Sequence, residues 1–277
     1  DALALNSTGD YNVAVGRSAL AANTTGASNL AIGTNTMTAN TTGTRNIAIG
    51  NEAYDSSDTE NDNLAIGYQA MTANTAGGTK NLAIGNYAMD AHTSGDQNTA
   101  VGYNALSTNT TAENNVAVGV DALLTNDASN NTGIGTNALK LNTTGTQNTG
   151  VGHNALTANT TADQNTAVGQ ESLKANTTGT GNVAVGAEAL KTNITNSYNT
   201  AVGLNALENN VADSNAAFGT SALRANTTGA SNVAVGRNSL LANTTGTRNI
   251  AIGHGAYDAS DTENDNMAIG FEAMTTN

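Results

Sequence analysis

The sequence is one unit of about seventeen residues, repeated along almost the whole chain. Each unit reads Asn, variable, Ala, Val or Ile, Gly, two variable residues, Ala, and Leu or Met, and many units continue through Asn-Thr-Thr-Gly. The opening asparagines are Asn12, Asn29, Asn46, Asn63, Asn81, Asn98, Asn115, Asn131, Asn148, Asn165, Asn182, Asn199, Asn215, Asn232, Asn249 and Asn266. Twelve of their fifteen intervals are seventeen residues, two are sixteen and one is eighteen. This period predicts a solenoid in which each unit closes as its own coil. Positions are numbered below from the opening asparagine of each coil.

The residues of the unit favour strands and turns over helices. Every unit has a glycine at position 5 and many carry a Thr-Thr-Gly turn, both unfavourable in a helix. Seventeen residues suit two short strands with two turns, each strand pairing with its equivalent in the next coil. We therefore predict an all-β fold, a parallel β-solenoid of about sixteen 17-residue coils. Residues 1–277 are expected to form a single repeat domain, as a fragment of a longer array.

Four kinds of position repeat in every coil and predict how the coil is built. The large apolar residues at positions 4 and 9, such as Val15 and Leu20, are expected to form the buried core. The alanines at positions 3 and 8 are expected to line a flat outer face that invites packing. The glycine at position 5 predicts a corner with positive φ or a close backbone approach. The asparagines at positions 1 and 12 are expected to be structural and to form stacked amide ladders.

Composition and charge exclude several functional classes. The chain has no Cys, so it has no disulfide, thiol nucleophile or thiolate metal site. The net charge of -13 disfavours nucleic acid as a partner. No apolar run approaches the ~20 residues of a membrane helix, so no membrane insertion is expected within this segment. The sequence begins at Asp1 and ends at Asn277 inside repeats, and a longer native protein is therefore expected.

Nothing in the sequence predicts catalysis. His92, His153 and His254 lie in distant coils without a recurring Ser or carboxylate beside them, and they are interpreted as surface residues. The runs 133–138 and 150–155 match the dinucleotide fingerprint only because Gly replaces Ala at position 3 of those coils. We therefore expect no enzyme, no catalytic residues and no organic cofactor.

Two acidic turns are the strongest local departures from the repeat. They replace Asn-Thr-Thr-Gly with runs that hold four carboxylates in eight residues, and hard cations select clustered oxygen ligands. The candidate Ca²⁺ ligands are Asp55, Asp58, Glu60, Asp62, Asp258, Asp261, Glu263 and Asp265. We interpret both runs as solvated acidic turns without metal, and a Ca²⁺ site is the alternative interpretation. The two runs correspond because residues 12–74 and 215–277 align without a gap, with 46 of 63 positions identical.

The run Asn98-Thr99-Ala100-Val101-Gly102-Tyr103-Asn104-Ala105-Leu106 resembles the head repeat of YadA-type trimeric autotransporter adhesins. The resemblance extends over the whole chain, although the Asn-Thr-Thr-Gly turn makes the coil longer than in that family. It implies a left-handed parallel β-roll, side-by-side association of three chains, and binding of host matrix or other surfaces. Similar runs occur in tail-fibre-like proteins that end in an endosialidase-type chaperone domain.

Taken together, these patterns predict a structural or adhesive fibre segment at the cell surface or outside the cell. The expected assembly is a homotrimer, with a cell-surface, matrix or abiotic surface as the attachment partner. A phage or virion tail fibre is the first alternative. An ice-binding β-solenoid is the second, because regular threonine columns can order water, and a thermal-hysteresis measurement distinguishes it.

Overall fold

A computed structural model describes residues 1–75, 77–259 and 261–275 of the chain. Ser260 in the second acidic turn and the terminal Asn277 lie outside the described residues. The chain divides into two compact units, residues 1–137 and 138–277, and each is considered by itself below. The single repeat domain over residues 1–277 stays a prediction.

Both units are parallel β-solenoids built from three-residue strands. In the first unit the strands are β1 (Val13–Val15), β2 (Leu30–Ile32), β3 (Ile47–Ile49), β4 (Leu64–Ile66), β5 (Leu82–Ile84), β6 (Thr99–Val101), β7 (Val116–Val118) and β8 (Thr132–Ile134). In the second they are β9 (Thr149–Val151), β10 (Thr166–Val168), β11 (Val183–Val185), β12 (Thr200–Val202), β13 (Ala216–Phe218), β14 (Val233–Val235), β15 (Ile250–Ile252) and β16 (Met267–Ile269). Within each unit every strand pairs in parallel with the next, and equivalent repeat positions face each other. The predicted all-β parallel solenoid is confirmed, and its winding sense stays a prediction.

Among the described residues, each coil contains one strand rather than the two that we expected. The segment at positions 8 to 11 still bonds to the next coil, as where Leu173 N–H donates to Ala189 O at 3.0 Å and Ala175 N–H donates to Lys191 O at 3.1 Å. Its backbone is not extended, because position 9 has a left-handed conformation, with φ of 47° at Leu173. This turn directs the position-9 side chain into the coil, where it is fully buried. Left-handed backbone is costly for such residues, so packing and bonds between coils must offset it.

The core consists of positions 3, 8 and 9. In the coil that begins at Asn182, Ala184, Ala189 and Leu190 are all fully buried. The prediction for position 9 is therefore confirmed, whereas the prediction that position 4 is buried is wrong. Val185 at position 4 is 36% exposed and lies on the outer side of the strand. The alanines do not form an outer face, because the coil is so narrow that only a small inward residue fits opposite the position-9 side chain.

Changes in coil length are absorbed in the turn after position 12. In regular coils the position-12 amide donates to the carbonyl three residues later, as Asn176 Nδ2–H does to Gly179 O at 3.0 Å. In two coils of sixteen residues it donates only two residues on, from Asn126 to Ala128 O and from Asn210 to Ala212 O, both at 2.7 Å. The strands and their register are unchanged. A coil that is one residue shorter therefore does not shift the repeat positions of the coils that follow.

Candidate functional site

The outward face of the strands is an exposed apolar feature that recurs along each unit. Positions 2 and 4 point to this side, and their exposed fractions include 37% at Ile32, 38% at Ile47 and 43% at Phe218. In β1 to β5 both positions are Val, Leu or Ile, whereas Thr takes position 2 in several later strands. Parallel sheets are usually covered on both faces, and here one face is uncovered in the single chain. We call positions 2 and 4 of each strand the outer strand face.

The two asparagine columns are buried and hold the coils together. At position 1, the N–H of Asn182 donates to Asn165 Oδ1 at 2.9 Å, and the Asn182 Nδ2–H donates to Asn196 O of its own coil at 2.9 Å. At position 12, Asn176 Nδ2–H donates to Asn159 Oδ1 in the preceding coil at 3.0 Å. The first column therefore closes each coil, and both columns link successive coils. The predicted structural ladders are confirmed.

The Asn-Thr-Thr-Gly threonines lie in a bend rather than on a strand. At position 13 their hydroxyls donate to backbone carbonyls of the next coil, as from Thr160 to Thr177 O at 3.1 Å and from Thr227 to Thr244 O at 2.9 Å. These hydroxyls are therefore engaged in holding the turns. These turn threonines therefore do not form a flat strand face, and thermal hysteresis remains the test of the ice-binding alternative.

In the first acidic turn, each carboxylate has its own structural partner. The Glu60 side chain is buried and caps the turn, accepting from Ser57 Oγ at 2.7 Å and from the N–H groups of Asp58 and Thr59 at 2.9 and 3.0 Å. Its other oxygen accepts from Gly77 N–H at 3.0 Å. Glu60 therefore satisfies backbone donors in a turn that lacks the usual asparagine.

The remaining carboxylates of this turn point to separate partners. Asp62 accepts two bonds from the Arg45 guanidinium, at 2.6 and 2.9 Å, and the arginine lowers the pKa of that carboxyl. Asp58 accepts from the Thr41 hydroxyl. Burial raises the pKa of Asp55, whose carboxylate accepts from Ser56 Oγ at 3.1 Å.

The second acidic turn repeats this arrangement. Asp265 pairs with Arg248 at 2.5 and 2.7 Å, and Asp261 accepts from the Thr244 hydroxyl. Glu263 accepts from the N–H groups of Asp261 and Thr262 at 3.2 and 3.1 Å, and Asp258 is half-buried. Across residues 1–75, 77–259 and 261–275, no three His, Asp or Glu side chains are placed to hold a metal ion. In neither turn are three or more of the predicted ligands brought together among the described residues, and the calcium hypothesis gains no geometric support.

His92 is buried, so its interpretation as a surface residue is wrong. It occupies position 12 of its coil and replaces the ladder asparagine. Its Nε2 lies 2.7 Å from Gly95 O, which only accepts, and its Nδ1 lies 3.2 Å from Asn109 Nδ2, which only donates. These two contacts fit a neutral imidazole with the proton on Nε2, and burial lowers the pKa of His92.

The other two histidines lie on the surface, as predicted. His153 and His254 are exposed, and the His254 ring stacks on Phe271 with 5.4 Å between the ring centroids. Gly150 and Gly152 of the fingerprint-like run lie in β9 and at the corner after it, and the described part of the chain contains no helix that could follow them. The run thus has the geometry of a repeat corner.

Three tyrosines form a cluster that the sequence reasoning missed. The Tyr87 ring packs edge-to-face against Tyr68 and Tyr103, with centroids 5.4 and 5.8 Å apart and interplanar angles of 87°. Tyr68 and Tyr103 are at position 6 and Tyr87 is at position 7 of consecutive coils. Aligning aromatic residues by repeat position could have revealed them, since neighbouring coils lie ~4.8 Å apart.

The sequence was compared with protein-family models and with curated proteins. Neither comparison gives a match. Among the described residues, no helix has the length and apolar character needed to cross a membrane. The surfaces of the solenoid units therefore provide the observations from which function is inferred.

Proposed function

We propose that this chain is a non-catalytic segment of an extracellular structural or adhesive fibre, in which three copies associate through the outer strand face. The observation that carries this proposal is the exposed apolar character of positions 2 and 4 in strand after strand. Val168 and Val185, for example, are each 36% exposed in the single chain. Because these residues recur at every coil, they form a strip rather than isolated apolar side chains.

The uncovered sheet favours self-association. A parallel sheet with apolar residues on both faces normally has both faces packed, and here the interior packs only one. A second copy of the chain can cover this exposed sheet face, because its repeats have the same spacing along the solenoid. The number of three, and the role as a stalk or head that attaches to a cell, matrix or abiotic surface, follow from the resemblance of the repeat to trimeric adhesins.

The proposal also includes the tail-fibre alternative, because the resemblance extends to both classes over this segment. A membrane β-barrel anchor following the repeats would indicate an autotransporter. A chaperone domain would indicate a tail fibre of a phage or virion.

Mass measurement tests the assembly. Sedimentation with multi-angle light scattering should give about three times the chain mass of 27.7 kDa. Val168→Lys with Val202→Lys should shift the mass to that of a single chain, because lysines would be buried unpaired in the interface. The matched control is His153→Lys with Gln170→Lys, two exposed positions in neighbouring coils of the same unit, which should keep the assembled mass. A wild-type chain that stays monomeric at high concentration would refute the proposal.

A further inference from the structure

One corner of the first unit carries an unusual combination of aromatic and acidic side chains. Positions 6, 7 and 10 lie next to each other on the surface, since position 10 bonds back to position 7, as Thr72 Oγ1–H does to Gln69 O at 2.8 Å. Between residues 46 and 114 these positions hold three tyrosines and three carboxylates and no Lys, Arg or His. We define the tyrosine corner as Glu52, Asp55, Tyr68, Tyr87, Asp90 and Tyr103.

The aromatic part of the tyrosine corner is accessible. Tyr68 is 38% exposed and Tyr103 is 49% exposed, and Tyr87 lies between them in the edge-to-face arrangement described above. The flanking tyrosines are two coils apart, a separation of ~10 Å at ~4.8 Å per coil. Exposed tyrosine faces attract cations through their ring quadrupole.

The acidic part of the tyrosine corner is held in place by neutral groups. Glu52 Oε2 accepts from Gln69 Nε2 at 2.7 Å, and Asp90 Oδ1 accepts from Ser107 Oγ at 2.5 Å. These bonds orient the two carboxylates without neutralising their negative charge. The corner therefore combines a negative field with accessible rings.

The equivalent positions of the second unit show what a compensated corner looks like. There Glu171, at position 7, pairs with Lys174 at 2.9 Å and Lys191 at 2.8 Å, both at position 10. The two lysines lower the pKa of Glu171 to about 2. In the second unit, lysines at position 10 thus neutralise the acidic residue at position 7. Between residues 46 and 114, no Lys, Arg or His occupies positions 6, 7 or 10.

We propose that the tyrosine corner is a docking surface for an extended, Lys- or Arg-bearing polypeptide segment of a partner protein. Cationic side chains of such a segment would lie against Tyr68 and Tyr103 and be neutralised by Glu52 and Asp90. Alternate side chains of an extended chain repeat every ~6.6 Å, so a segment of a few residues spans the corner. This docking surface would supply the kind of partner that the proposed adhesive function requires, and in that respect it rests on the proposed function.

Binding of a defined peptide to the 277-residue chain tests the inference. The probe is a fluorescein-labelled peptide of alternating Lys and Gly, followed by fluorescence anisotropy at physiological ionic strength, with the Glu-Gly counterpart as the negative probe. Tyr68→Ser with Tyr103→Ser should weaken binding of the lysine peptide about tenfold, since two cation–π contacts are lost. Tyr11→Ser with Tyr198→Ser, which changes two tyrosines that are 88% and 70% exposed, should change it less than twofold.

A second pair of variants separates the corner from general charge attraction. Glu52→Gln with Asp90→Asn and the control Asp10→Asn with Glu113→Gln remove the same net charge, and only the first pair should weaken binding about tenfold. Equal losses in both pairs, or no binding of the lysine peptide, would overturn the inference. Tyrosine-dependent binding of maltoheptaose without binding of the peptide would overturn it in favour of a neutral glycan. The mass of each variant, measured alongside, reports on self-association independently.

Discussion

At the scale of single residues, the glycine at position 5 controls whether two coils can stack. Gly152 has a φ of +137°, and a Cβ at this site would lie 2.6 Å from Gly169 O in the next coil. Both the backbone angle and the space therefore require glycine. The predicted corner is confirmed.

Gly152→Val should destabilise the chain by about 1–3 kcal/mol or more, through the forbidden φ and the contact with Gly169. His153→Ala changes the adjacent exposed residue and should cost no more than roughly 0.5 kcal/mol. Thermal unfolding of the two variants provides the comparison. Equal and negligible effects would contradict the coil geometry.

His92 adds a pH dependence to a ladder that otherwise consists of uncharged amides. Its pKa in the folded chain is below its ordinary value of about 6.5, so the unfolded chain takes up the proton first. The contribution of His92 to stability should be fully present above that ordinary value and decrease as the pH falls through the folded pKa.

His92→Asn should restore a neutral ladder residue and reduce the loss of melting temperature between pH 7 and pH 5. The exposed His153→Asn is the matched control and should keep the wild-type loss. Melting curves at the two pH values decide the matter, and a similar loss in all three proteins would disprove the assignment.

At the scale of the element, the alanine in the middle of each typical strand faces the interior of the coil, and the larger residues on either side face outward. Ala184 is fully buried, whereas Val183 and Val185 on either side of it face outward. Position-9 side chains limit the space inside the coil: at Gly150, the equivalent position in an earlier coil, a Cβ would lie 3.3 Å from Leu139 Cγ.

Ala184→Leu should lower the free energy of unfolding by about 1–3 kcal/mol, because the interior has no room for three more carbon atoms. Val183→Leu enlarges the neighbouring outward residue, which the coil does not enclose, and should lower the free energy of unfolding less than Ala184→Leu does. Urea denaturation midpoints measure the difference. If Val183→Leu were the more damaging variant, the assignment of inside and outside would be reversed.

Features that depend on the local sequence were predictable, whereas features that depend on the closed coil or on contacts between coils were not. The period, the corner glycine and the asparagine ladders follow from local chemistry, because each needs one residue type at a fixed spacing. The residue of Val183-Ala184-Val185 that faces inward cannot be predicted in this way. The pattern alternates equally well with the alanine inside or with the two valines inside. The choice depends on the narrow cross-section of the closed coil. The burial of His92 and the pairing of Tyr87 with its neighbours depend likewise on contacts between coils.

At the scale of the whole molecule, the repeat makes stability a sum of coils and their interfaces. Residues 182–198 are one seventeen-residue coil, and removing them would place Asn199 after Gly181 in correct repeat order. The position-1 bonds from Asn182 N–H to Asn165 Oδ1 and from Asn199 N–H to Asn182 Oδ1 would be replaced by one equivalent bond from Asn199 N–H to Asn165 Oδ1.

Deletion of residues 182–198 should therefore leave a folded chain with the circular dichroism of the parent per residue and a modest loss of melting temperature. Deletion of residues 190–198 removes about half a coil and should prevent cooperative unfolding of the second unit. If both deletions behaved alike, the coil would not be the unit of stability.

The position-1 asparagine has a mechanical consequence. Its side chain bonds to the backbone of its own coil, while its backbone N–H bonds to the preceding coil. A coil at the end of the solenoid can therefore detach without opening the next coil. Under tension, each detached coil of seventeen residues would release roughly 50 Å of slack at about 3.3 Å per extended residue. A tether built this way would dissipate load in equal increments, visible as evenly spaced steps in single-molecule stretching, and would shorten again coil by coil when the load falls.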